Sequence, residues 1–122
     1  MKLDRAKIAI ALMAFLLGFS TFALLNTRHV GKEMTALVSG MRDTPPTTKD
    51  ITRLEREWSR YESVLDLYSR HDEVERISQA IEKLRPLYDT GQLDDFEVSL
   101  DEVTHALEHL VHTEMPTISN IL

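Results

Sequence analysis

The sequence predicts an all-α protein: an N-terminal transmembrane helix followed by a small antiparallel bundle of about three helices. Three observations carry this. Residues 8–25 form an uncharged, apolar run. Downstream, apolar side chains recur at alternating spacings of three and four, the signature of helices with one buried face. Glycine and proline are scarce, at four each, and cysteine is absent. The absence of cysteine removes disulfides, thiolate metal sites and a cysteine nucleophile.

The apolar run opens the organisation of the chain. Its eighteen residues rise about 27 Å as a helix, close to the roughly 30 Å of a bilayer's hydrocarbon core. Lys2, Arg5 and Lys7 precede it, and Arg28 and Lys32 follow. This places the amino end in the cytoplasm and the body outside the cell membrane. The competing reading is a secretory signal cut after Ala23 with Thr21 at −3. The apolar character continues through that point to Leu25 and favours an uncleaved anchor. Ala14 and Gly18 are spaced as in close-packed membrane helix pairs and allow a homodimer.

Three segments follow from this division: residues 1–29 as stub and anchor, 30–46 as juxtamembrane helix and proline linker, and 47–122 as the outer bundle. Residues 30–41 are amphipathic and extend the membrane helix outward. Pro45 and Pro46 end it. Thr47 caps the next helix, with Asp50 in its first turn. That helix carries Ile51, Leu54, Trp58, Tyr61, Leu65 and Tyr68. The phase breaks at Val74, six residues past Tyr68, which favours a turn near His71. Asp72 with Glu75 has capping-box spacing for a second stripe of Val74, Ile77, Ile81, Leu84 and Tyr88, kinked or ended by Pro86. Gly91 marks a helix terminus. Asp94 with Glu97 and Leu93 with Val98 then have the spacing of a cap and staple. The last helix shows Phe96, Leu100, Val103, Leu107 and Leu110, closed by Pro116. No single stripe is stable alone, so the three face inward.

Charge narrows the function classes. Residues 1–46 are net +3 and residues 47–122 net −9. An acidic body is a poor nucleic-acid binder, so no nucleic-acid partner is expected. No glycine-rich phosphate loop, nucleophile elbow or inward carboxylate pair is legible, so the reading is not an enzyme, and no cofactor is expected.

The stretch "HALEHLVH" places His105, His109 and His112 on one helical face. With His105 at 0°, the histidines fall within about 60°, while Phe96, Val103, Leu107 and Leu110 lie near about 140–200°. The stripe is expected to face water. A durable zinc site needs a fourth ligand and supporting hydrogen bonds, so no metal site is expected, with these three histidines the candidates if one exists. A single Glu102-xx-His105 pair facing outward does not make a di-iron site. His71, Glu73, His109, Glu114 and Asn120 are the candidate polar or partner contacts. Glu114 falls under the apolar stripe, where His71 or an arginine is a candidate partner.

Trp58, His71-Asp72-Glu73, Leu107-Glu108-His109, Glu114 and Asn120-Ile121-Leu122 together resemble a family of short, membrane-anchored bacterial proteins, found mostly in spore-forming Gram-positive lineages and classed as a domain of unknown function. His105 and His112 are not part of that pattern. The resemblance implies a membrane protein, with a multi-pass membrane protein as a candidate partner; it implies no activity. The resulting expectation is an interaction or accessory module for another membrane protein. The alternative is a small ligand- or metal-sensing domain built on the His-rich last helix.

Overall fold

The computed structural model describes residues 4–121, with side chains through residue 112. The order is α1 (Arg5–Asp43), α2 (Thr48–Leu65), α3 (His71–Glu82), α4 (Leu84–Asp89) and α5 (Leu93–Ile121), with no strand among the described residues.

Helix α1 is unbroken over 39 residues and is capped by Asp4, whose side chain accepts from the Ala6 amide. Its two halves live in different surroundings. The first is apolar and exposed (Phe15 is 67% exposed), and α1 is long and apolar enough to cross a membrane. The second buries Val30, Met34, Val38 and Met41 in the same core as Trp58, Leu84 and Leu107. The sequence reading makes residues 30–46 a juxtamembrane helix and proline linker, and the helix does run on unbroken to Asp43. In the structure residues 30–41 are also a wall of the bundle, packed against α5 and α2.

At the corner, Pro45 and Pro46 end α1. Thr47 and Asp50 form a full capping box: Thr47 Oγ1 accepts from the Asp50 amide at 3.3 Å, and Asp50 Oδ2 accepts from the Thr47 amide at 2.9 Å. Helix α2 then returns antiparallel to α1, bringing Tyr61 to His29 and Tyr68 to Asn26. The turn expected near His71 spans residues 66–70. Asp72 does not cap α3. The helix begins at His71, Arg70 holds the cap position without a side-chain bond, and Asp72 sits in the first turn, paired with Arg70 at 3.3 Å.

Pro86 acts three residues upstream of itself. It lacks the N–H that would bond the Glu82 carbonyl, and the helix breaks at Lys83 between α3 and α4. Gly91 takes φ 72°, and the Gln92 amide donates to Leu87 O while the Gly91 amide donates to Tyr88 O. This is the six-to-one and five-to-two pattern of a glycine-terminated helix. Helix α5 begins at Leu93, two residues earlier than a cap at Asp94 would place it, so Asp94 lies in its first turn, and both Leu93 and Val98 are exposed. Nor does Pro116 end α5, which continues to Ile121. A proline removes one ladder bond, here to the His112 carbonyl, and the turns on either side persist.

Helix α5 is the centre of the body and packs on α1, α3 and α4. It runs antiparallel to α1, pairing Arg42 with Asp101 at one end and bringing Val111 onto Gly31 at the other. At Gly31 the Val111 side chain packs so close to α1 that an added Cβ would lie 2.7 Å from its Cγ2. The Pro45–Pro46 corner and the α4–α5 turn therefore lie at the end far from the apolar half of α1. The α2–α3 turn lies at the near end.

Candidate functional site

Among the described residues Glu73 is the most deeply buried charged one, its side chain only 6% exposed. It occupies the first turn of α3, where a carboxylate is favoured by the helix's free amides. Across the interface, His109 Nδ1 on α5 donates to Glu73 Oε2 at 2.8 Å. The bond answers the penalty of burying an acceptor, and the ring keeps its other edge toward solvent with 55% of the side chain exposed. Glu73 and His109 stand in two of the motifs that carry the family resemblance, His71-Asp72-Glu73 and Leu107-Glu108-His109. Here the fold joins them across 36 residues of sequence.

Beside this pair runs a groove of about 540 Å³ between α3 and α5. Ala80 and Ala106 are buried at its floor. Arg76, Lys83, Glu102, His105 and His109 line it, and Lys83 reaches Glu102 at 3.5 Å. Apolar floor and mixed-charge rim suit a peptide or side chain better than a single ion.

The other histidines separate. His105 is 81% exposed and lies 3.9 Å from Glu108. His112 is exposed. His71 lies 3.6 Å from Glu75 and 4.0 Å from Asp66, so it serves its own helix start and turn rather than a distant helix. Among the described residues no three His, Asp or Glu side chains gather as a metal cage. Glu114 and Asn120 lie outside the described side chains.

The histidine face is exposed at His105, His109 and His112, and at its edge His109 also bonds Glu73. The buried arc of α5 extends beyond its large apolar residues to Ser99 and Ala106. These small residues let α3 approach on that flank, and His109 at its edge meets Glu73. Small residues at 99 and 106 are the sequence signal that the buried arc of α5 widens toward His109, though not of its partner.

Trp58 is 3% exposed, and its indole N–H donates to Ser78 Oγ at 2.8 Å, which fixes α2 against α3. Sequence reading found the tryptophan and missed its partner. Arg85 binds Thr52 at 2.9 Å and is paired with Glu55. The hydrogen bond to Glu55 raises the pKa of Arg85 above its ordinary value. Burial, then the negative charges of Glu57 and Glu33, raise the pKa of Tyr61 above 10.0.

The fold and this site define a class: an all-α protein in which one helix is long enough to cross a membrane and also forms a wall of a helical bundle. The chain belongs to the family described as Domain of unknown function (DUF4363), which matches residues 41–121. The match begins at the last buried residue of α1 and takes in Trp58, Glu73 and His109. No curated protein and no solved structure matches the chain.

Proposed function

We propose that this chain is a single-pass membrane protein with its amino end in the cytoplasm, and that its helical body, outside the membrane, is an interaction or accessory module for another membrane protein. The observation that supports this most directly is α1 itself. The same rigid helix presents an exposed apolar half and then contributes Val30, Met34, Val38 and Met41 to the bundle core. A body built onto its anchor in this way is held at a fixed height and angle, which suits contact with a neighbour in the same membrane. The groove between α3 and α5 is the surface we assign to that contact. Its rim of Arg76, Lys83, Glu102 and His105 provides charges of both signs around a floor of small residues.

The bordering imidazoles of His105 and His109 favour one second reading, in which the groove takes a small ligand or a metal ion. Affinity purification of the full chain in mild detergent separates the two. A stoichiometric membrane protein that is lost in an Arg76→Glu, His105→Glu variant supports the interaction module. Purified protein without a partner, carrying zinc that the same variant loses, supports the sensor instead.

A further inference from the structure

We infer that the α2–α3 turn is a second membrane contact, seating the body in the lipid interface instead of holding it clear of the surface. The inference rests on the membrane reading above. Tyr68 in this turn packs edge-on against two phenyl rings of α1, Phe19 at 6.2 Å and Phe22 at 6.4 Å between centroids. These phenylalanines stand six and three residues before Leu25, the last residue of the apolar run. At about 1.5 Å per residue they lie about 5–9 Å inside its outer end. That matches the roughly 5–10 Å to which interfacial elements sink into the boundary of headgroups and acyl chains.

The polar end of Tyr68 points the other way along α1. Asn26 Nδ2 donates to its hydroxyl oxygen at 2.8 Å, and the hydroxyl lies 3.0 Å from Thr27 Oγ1. Asn26 and Thr27 are the first polar residues after the run. The ring thus lies along apolar chain and the hydroxyl at its rim, the arrangement that tyrosines adopt at membrane–water boundaries. Next to it, Leu67 is 73% exposed, more than any other large apolar side chain among the described residues. A tip that must sit at this depth because Tyr68 is fixed to Phe19 and Phe22 gives Leu67 a lipid environment.

Charge sets how far it sinks. Asp66, Arg70 and Asp72 belong to the same turn, and Arg70 pairs with Asp72. They hold the turn at headgroup level. The acidic body gains nothing from anionic lipid, so contact should form as well on zwitterionic bilayers.

The chain contains no cysteine, so single cysteines can carry a polarity-sensitive fluorophore in the full chain, reconstituted in phosphatidylcholine nanodiscs. The sites are Leu67→Cys at the turn, Leu93→Cys at the far end and Leu12→Cys in the anchor. With lipid carrying a shallow spin-label quencher, the Leu67 probe should be blue-shifted and quenched about twofold or more relative to Leu93. The Leu12 probe should respond to a deep quencher. Water-like emission at Leu67, equal to Leu93, with Leu12 quenched overturns the interfacial contact alone. An unquenched Leu12 probe overturns the membrane reading and the contact with it.

Discussion

Removing the imidazole of His109 should expose what the Glu73 contact contributes. In His109→Ala the Glu73 carboxylate, 6% exposed, loses a 2.8 Å charge-assisted bond and cannot turn to water without opening the α3–α5 seam. Leaving a buried acceptor unsatisfied costs about 1–3 kcal/mol. The half-exposed imidazole was never strongly desolvated, so its release returns little. Replacing both partners, as Glu73→Leu with His109→Ala, removes the buried charge itself and should recover much of the loss. The coupling between the two sites should therefore be about 1–2 kcal/mol, within the range for residues in direct contact. Guanidinium titration of the full chain in detergent, read by the fluorescence of Trp58, measures each variant. Trp58 is the only tryptophan and reports the α2–α3 interface directly. Additive effects, with coupling below about 0.3 kcal/mol, would refute the argument that His109 satisfies a buried Glu73.

Gly31→Ala should lower stability, because the new Cβ meets Val111 Cγ2 at 2.7 Å. Overpacking of about 1–3 kcal/mol outweighs the gain of up to about 1 kcal/mol in helix propensity. In a Val111→Ala background the sign should reverse, which thermal melts of the pair would show. Trp58→Ala should cost roughly 3–5 kcal/mol by urea denaturation, the range for deleting a large buried aromatic. Tyr61 should make the fold sensitive to alkali. Its folded-state pKa is raised above 10.0, chiefly by burial, so the folded state holds the phenol proton more tightly than the unfolded chain. That contribution is present below pH 10 and is lost as pH rises through the folded value. Stability measured against pH should fall more steeply above pH 10 in the parent than in Tyr61→Phe.

Periodicity carried most of the fold. The stripes through Trp58, Ile77 and Leu107 are the core, the turn near His71 is present, and Gly91 and the Thr47 cap act as their chemistry requires. Length and charge marked residues 8–25 as apolar enough to span. What the stripes hid is the role of residues 30–41, whose Val30, Met34 and Val38 read as a short amphipathic extension but close the bundle. A single stripe shows that a face is buried, not which helix buries it. The site was legible only as its parts. Glu73 and His109 were both marked as polar contacts, yet nothing local pairs residues 36 apart. The clue lay in the small Ser99 and Ala106, which widen the buried arc of α5 toward His109. Capping motifs misled at Asp72 and Asp94 because spacing fixes a cap only to within a residue or two of the helix start.

That one unbroken helix is both anchor and bundle wall is most directly tested by hydrogen exchange of the full chain in nanodiscs, followed peptide by peptide along α1. Lipid should protect the amides through about residue 25 and the bundle core those from Ala23 to Met41, with Thr27, Val30 and Gly31 buried at the junction. The account predicts continuous slow exchange from the apolar run through Met41. A fast-exchanging segment over residues 24–32 would mean that the body hangs from a hinge, and would contradict it.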